Sequence, residues 1–256
     1  MNSPLRLQSS LLSRINFIDH AFFGRVGGVS NGVYAGLNTS FRVGDNPENV
    51  GKNRTLIAES FAQPSRLLTL NQVHSNKVIR VDTSTPCDIE ADGMITTSRD
   101  IILGIYTADC IPILFCDTAN RQIAAIHCGW KGLLAGIIQN TIAEFKNTDS
   151  LVMVIGACIH QDNYEVDDNF YENFIKNDQQ AGEFFKKSTM PKKYFFNLPL
   201  YAYNISIKNG INANNIDVIN LDTYKNEDLF FSHRRATHQG VGRGLQLSCI
   251  TIKSKE

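Results

Sequence analysis

The chain has 256 residues, of which 43% are hydrophobic and 20% charged. This is ordinary globular composition, long enough to bury a real core and matched to a single domain spanning residues 1–256. The 25 basic and 25 acidic side chains cancel, so the chain is no general polyanion binder, no nucleic-acid partner is expected, and any anion site must be local.

No segment approaches the roughly 20 apolar residues that span a bilayer, so no membrane partner is expected. The residues before Arg14 contain no continuous apolar stretch of the signal-peptide kind. The six cysteines, Cys87, Cys110, Cys116, Cys128, Cys158 and Cys249, form no C-x-x-C pair. They read as reduced thiols, which points to the cytoplasm.

The first forty-odd residues are punctuated by Gly24, Gly27, Gly28, Gly32, Gly36 and Gly44 and read as loop. A helix follows from Pro47 to Ala62, with Asn46 as its cap and proline at its first position. The middle of the chain is strand-rich. Short runs of β-branched residues cover Lys77 to Val81, Ile101 to Tyr106, Ile111 to Phe115, Gln122 to Ile126 and Leu151 to Ile155. One helix is expected from Gly132 to Phe145, because Leu134, Ile137, Ile138, Thr141 and Phe145 recur at helical spacing. Further helices are expected over Asp168 to Ile175 and Leu200 to Lys208, and a last strand over Leu245 to Ile252. Runs of strands with grouped helices indicate an α+β fold of mixed sheets layered with helices.

Three segments place a borderline or soft metal ligand beside an apolar strand. Gln72–Val73–His74–Ser75 precedes the strand at Val78. Thr107–Ala108–Asp109–Cys110 follows Ile101 to Tyr106. Ile126–His127–Cys128–Gly129–Trp130 follows Gln122 to Ala125. Strand ends are where a rigid scaffold presents functional groups. Two imidazoles and a thiolate suit zinc or copper, and three protein ligands leave the fourth position of a catalytic zinc open. Such an ion would activate water. The spacings alone are met equally by buried, hydrogen-bonded core residues.

Three cationic segments accompany the triad. Cys128–Gly129–Trp130–Lys131–Gly132 leads from strand to helix, where backbone N–H groups attract anions and Lys131 adds charge; it reads equally as a tight turn with an exposed lysine. Phe23–Gly24–Arg25–Val26–Gly27–Gly28 offers a guanidinium fork on flexible backbone, or a plain surface turn. Phe231–Ser232–His233–Arg234–Arg235, with Gly240 to Gly244 around Arg243, is a basic lid over a charged substrate or a solvated loop.

Together these segments resemble the laccase-domain family, whose members have been called multicopper polyphenol oxidases and also purine nucleoside phosphorylase and adenosine deaminase enzymes. The matching pieces run in order: Gly24–Arg25–Val26–Gly27–Gly28–Val29–Ser30, Val43–Gly44–Asp45, Gln72–Val73–His74, Ala91–Asp92–Gly93, Thr107 to Pro112, His127 to Gly132, Tyr164–Glu165–Val166, and Phe230 to Arg235. They cover roughly residues 20 to 250. The resemblance implies one α/β/β/α domain and a catalytic zinc on His74, Cys110 and His127. It implies phosphorolysis of adenosine, inosine, guanosine and methylthioadenosine, and deamination of adenosine to inosine. Arg25 is then a candidate catalytic and phosphate-positioning residue, with Lys131 and Arg234 as further substrate or phosphate ligands. The chain departs from the family pattern at Cys128 (commonly Ala), Lys131 (Arg), Ala157 (Pro), His233 (Tyr) and before Thr223, where a Cys is usual.

Other readings compete. Cys110 and His127 as a thiolate–imidazolium pair would give an amide hydrolase acting on cell-wall precursors. Copper-dependent phenol oxidation needs paired clusters of histidines, and the chain has six in all. A zinc-stabilised binding module needs a fourth, closing ligand, for which Cys128 is the candidate.

Overall fold

The computed structural model describes residues 3–61 and 65–254. In chain order the elements are β1 (Arg6–Leu7), α1 (Ser10–Ser13), β2 (Ile18–Phe23), α2 (Pro47–Glu59), β3 (Arg66–Thr69), β4 (Val78–Arg80), β5 (Gly93–Thr96), β6 (Ile101–Thr107), β7 (Ile111–Asp117), β8 (Gln122–Cys128), α3 (Trp130–Leu134), α4 (Ile137–Ala143), β9 (Leu151–Ile155), β10 (Glu165–Asp167), α5 (Asp168–Asn177), β11 (Phe185–Lys187), β12 (Lys193–Phe196), α6 (Leu198–Lys208), β13 (Ile216–Val218), α7 (His233–Gln239) and β14 (Gln246–Ile252). The strands form a five-stranded sheet, β1-β2-β14-β6-β3, a six-stranded sheet, β13-β9-β7-β8-β5-β4, and a small sheet, β10-β12-β11. Both large sheets are mixed: β3 runs parallel to β6 and β13 parallel to β9, while most other pairs are antiparallel.

Side-chain alternation explains how the two large sheets stack. Ile101, Leu103 and Ile105 of β6 share one core with Leu114 and Cys116 of β7, Ile123 and Ala125 of β8, and Val152 and Val154 of β9. The intervening residues of β7, β8 and β9 (Ile113, Phe115, Ile126, Met153) point the other way, onto Ile137 and Ile138 of α4 and Tyr201 and Ala202 of α6. On the far side of the five-stranded sheet, Ile102 and Phe23 meet Ile57 of α2. The order is helix, sheet, sheet, helix, as the α/β/β/α reading requires. Strands covered on both faces are buried along their whole length, as β7, β8 and β14 are, and β7 accordingly reads as a nearly unbroken apolar run. No helix among the described residues is long and apolar enough to cross a membrane.

The structure corrects the sequence reading in three places. The Gly-rich start contains β2, whose Ile18 and Phe22 enter the inter-sheet core while Ala21 and Phe23 face α2. Asp19 and His20 disguise it, and buried His20 is satisfied by accepting the Ser9 N–H at 2.9 Å. The expected helix from Gly132 to Phe145 is two helices, because Gly136 takes φ +91 and breaks the ladder. Residues 233–239 form α7, capped by Ser232, and not an open loop. The helix opened by Asn46 and Pro47 ends at Glu59; its expected end at Ala62 lies outside the described residues.

The remaining Gly-rich loop is held by one fully buried amide. Asn53 of α2 accepts from Val29 N at 2.8 Å and donates to Ser30 Oγ, Gly36 O and Asn38 O at 3.0, 3.2 and 2.7 Å. Asn53→Ala should therefore cost about 2–4 kcal/mol, because several buried groups lose their partner. Urea unfolding measures it, and a loss below about 0.5 kcal/mol, the range of ordinary surface substitutions, would show that the loop does not lean on this residue.

Candidate metal centre and flanking cavities

His74, Cys110 and His127 come together as the sequence predicts. Their ligand atoms all lie within 4.8 Å of one another. The imidazoles meet edge to face at 4.7 Å between centroids, and Cys110 Sγ lies 4.0 Å from His74 Nε2. His127 is the penultimate residue of β8, Cys110 immediately precedes β7, and the two strands pair with Pro112 opposite His127. His74 comes from the loop before β4. Tetrahedral zinc places its ligands about 3.3–3.8 Å apart, so small side-chain rotations would close these donors on an ion.

One carboxylate arranges two of the three. Asp92 is fully buried. Its Oδ1 lies 2.7 Å from His127 Nδ1, which leaves Nε2 for the centre. The same carboxylate accepts the backbone N–H groups of Val73, His74 and Ser75 at 3.2, 3.0 and 2.6 Å, and the Ser75 hydroxyl at 2.7 Å. This cradle holds His74 at φ 61, a left-handed conformation costly for a side-chain-bearing residue. Burial raises the Asp92 pKa, but hydrogen bonds from His127 and Ser75 outweigh it and keep the group ionised.

Charge is shared within the triad. Burial pushes the Cys110 thiol up, yet the His127 charge and hydrogen bonds from both imidazoles bring it down to about 6. Burial lowers His127, but the Cys110 thiolate and Asp92 raise it to about 9. The pair is thus thiolate and imidazolium at neutral pH. Gly129 closes the wall: a Cβ there would lie 2.8 Å from His74 Cδ2 and 3.1 Å from Cys110 Sγ.

Cys128 is no fourth ligand. It follows His127 on β8, so it points to the opposite face, into the core under α4. Burial raises its thiol well above the ordinary range.

Asp109 sits in a left-handed turn at φ 90 and not on a strand. It accepts from Thr223 Oγ1 at 2.7 Å, Ser232 Oγ at 3.0 Å and Arg234 N at 2.6 Å. It therefore ties the Cys110 turn to the start of α7 and sets His233 and Arg234 over the centre. The sequence marks Asp109, next to Cys110, as a supporting or structural group, whereas the role of Asp92 escapes it: that residue stands out only within the motif Ala91–Asp92–Gly93, far along the chain from His74 and His127.

Two cavities flank the triad. One, of about 370 Å³, is lined by Phe41, Arg42, Tyr106, Thr107, Arg243 and the triad. The other, of about 480 Å³, is lined by Trp130, Lys131, Tyr164, Arg234, His74 and Cys110. They share His74, Ala108, Cys110 and His233. Lys131 Nζ lies over the Trp130 ring, and α3 beside it has only five residues. The Arg234 guanidinium stacks on Tyr164 and donates to Glu165 O at 2.7 Å. Arg25 is not brought to the triad. It lines a separate cavity with Glu227 and Arg235, packs on Phe231, and donates to the carbonyls of Ala35 and Glu227. Local carbonyls thus engage its fork, and its cavity adjoins the triad's only through Arg243.

Two outcomes follow for metal binding. Binding displaces the proton shared by Cys110 and His127, so zinc affinity should rise about tenfold per pH unit from about pH 7 to about pH 9, then flatten as His127 deprotonates. A pH-independent affinity in competitive chelator titrations would contradict the ion pair. Asp92→Asn should weaken zinc binding about 10–100-fold in the same titration; an unchanged affinity would show that the carboxylate does not orient its ligands.

Residues 19–253 match the family described as multi-copper polyphenol oxidoreductase laccase. A purine nucleoside phosphorylase of Rickettsia prowazekii (strain Madrid E) is 37% identical over 197 residues, covering 76% of this chain and 81% of that protein. One of Escherichia coli (strain K12), purine nucleoside phosphorylase YfiH, is 31% identical over 214 residues, covering 82% and 86%. A crystal structure of a Neisseria meningitidis protein superposes with a TM-score of 0.88 at 29% identity, covering 99% of this chain and 100% of that one. With ligand-bearing strand ends, layered sheets and a family match across nearly its whole length, the chain belongs to the multi-copper polyphenol oxidoreductase laccase family.

Proposed function

We propose that the chain is a purine nucleoside phosphorylase whose centre is a zinc ion held by His74, Cys110 and His127. The observation that carries this reading is the placement of an open three-ligand group where two cavities meet, since phosphorolysis must bring two reactants to one point. Relatives named purine nucleoside phosphorylase support the reaction class. When bound, the ion would supply Lewis acidity at that junction. The donor set of two imidazoles and one thiolate, with an open position, favours a single zinc. Among the described residues this is the one group of three such ligands, which does not provide the several copper sites of a phenol oxidase.

The protein's own residues divide the remaining work. Trp130 and Tyr164 give the larger cavity flat apolar walls, and Lys131 and Arg234 give it cationic edges. That combination suits a planar purine with electronegative ring nitrogens. His233 stands at the junction, where burial and then the Arg243 charge lower its pKa and keep the imidazole neutral. Asp92 and Asp109 hold the ligands and α7 in place. We extend the proposal to methylthioadenosine cleavage and adenosine deamination, on the strength of the motif resemblance.

One observation favours a second reading. Cys110, His127 and Asp92 form a thiolate–imidazolium–carboxylate array, which in the metal-free protein would suit a nucleophilic amide hydrolase. It predicts activity that survives chelation.

Zinc-loaded protein should convert inosine and adenosine to free base only with phosphate present, and adenosine also to inosine without it. Cys110→Ala should lower turnover by about a thousandfold while leaving the unfolding temperature nearly unchanged. Chromatography of the bases measures both. Base release that ignores phosphate, or that survives Cys110→Ala, would contradict the proposal.

A further inference from the structure

The smaller cavity beside the triad holds two polar groups without partners. Thr107, at the end of β6, is 3% exposed, and its hydroxyl makes no hydrogen bond. Arg243 Nε is buried and likewise unpartnered, and among the described residues no hydrogen bond or ion pair engages the Arg243 guanidinium. Both line the cavity that contains His74, Cys110 and His127. The other cation of this cavity, Arg42, is matched by Asp88 at 3.4 Å and donates to Asn71. Arg243 is therefore an unmatched positive charge on the wall between the triad's cavity and the cavity of Arg25 and Glu227, both of which it lines.

Its placement is fixed by the fold. A Cβ on Gly244 would lie 2.6 Å from the Phe231 ring, and one on Gly242 would lie 3.2 Å from the Tyr34 hydroxyl. The backbone on both sides of Arg243 thus lies hard against its neighbours. Leu245 N donates to Asn38 Oδ1 at 2.9 Å, and β14 begins at the next residue. An arginine presented from so constrained a backbone is organised before any ligand arrives. A guanidinium without a protein partner and a buried, unpaired hydroxyl on the wall of the same cavity suit a tetrahedral oxyanion, and leaving both groups desolvated and unpaired is costly.

We propose that Arg243 and Thr107 form a phosphoryl-binding subsite in the cavity beside the triad. The inference rests on the phosphorylase reading for its use and adds to it the place of the second reactant. In phosphorolysis an oxygen of hydrogen phosphate bonds to C1′ as the C1′–N bond breaks. The bonding pair leaves with the purine, and the phosphate proton ends on the base. With the base in the Trp130–Tyr164 cavity, a phosphate on Arg243 lies across the shared junction, on the side from which it must approach C1′. The same subsite would also fit the 5′-phosphate of a nucleotide.

Phosphorus NMR titration of the zinc-loaded protein with inorganic phosphate tests the proposal without turnover. Arg243→Ala should weaken phosphate binding roughly tenfold or more, Arg243→Lys less, and Thr107→Val roughly threefold, as expected for charge-assisted and neutral hydrogen bonds. Lys146→Ala, which removes an exposed charge elsewhere, should leave it unchanged. In turnover, the KM for phosphate should rise in Arg243→Ala while the KM for inosine stays. Inosine 5′-phosphate separates the two sources. If the subsite serves nucleotides, that compound binds more tightly than inosine in an Arg243-dependent way while inorganic phosphate shows no such dependence. If Arg243→Ala remains folded and binds both phosphate and the nucleotide like the parent, the subsite is refuted. Arg243-dependent phosphate binding without any nucleoside turnover would instead refute the phosphorylase reading and leave the subsite standing.

Discussion

The buried carboxylate of Asp92 is the constraint on which the rest of the site depends. It reaches His127 through the ring nitrogen that does not face the centre, and it collects three consecutive backbone N–H groups around His74. Two ligands from segments more than fifty residues apart are thereby referred to one point. Without those N–H donors a buried charge would be prohibitively costly. Without the charge, nothing would hold His74 in a left-handed turn. The ionised state of Asp92 and the strained backbone of His74 are each the condition for the other.

Asp109 plays the matching part on the other side of Cys110. It lashes the turn carrying the thiol to Thr223 and to the N-terminus of α7. The ends of β6, β7 and β8 supply a rigid rim, and two carboxylates bind the loops to it. This is why a site built mostly from loop residues can be precise: the loops are tied to buried carboxylates, and those carboxylates sit at the ends of strands packed on both faces. Both cavities border that rim and share His74 and Cys110, which is what the proposed two-reactant chemistry requires.

Much of this was legible in the sequence. The strands β6 to β9 are long β-branched runs, and alternation could place their side chains once two covering layers were assumed. The three candidate ligands were marked by their position at strand ends, although spacing alone did not separate them from core residues; the ordered run of family motifs favoured the ligand reading. What escaped has physical causes. β2 carries Asp19 and His20 inside an apolar strand, and buried His20 is satisfied by a backbone N–H visible only in three dimensions. The break at Gly136 follows from its positive φ, whereas the helical apolar spacing continues straight through it. Arg25 looked like an anion ligand because its flanking glycines suggest close approach to a substrate, yet they serve close approach of the chain to itself: a Cβ on Gly24 would lie 2.0 Å from Leu229 O. Arg243, in contrast, read either as part of a basic lid or as one residue of a solvated loop, and it is an unpaired cation lining the triad's cavity.

The central claim is that His74, Cys110 and His127 form an open, single-metal zinc centre ordered by Asp92. X-ray absorption at the metal edge of protein produced without added copper tests it most directly. The account predicts zinc with one sulfur at about 2.3 Å and two or three nitrogen or oxygen neighbours at about 2.0–2.1 Å. Copper in that position, or two sulfur ligands of which the second is Cys128, would contradict it.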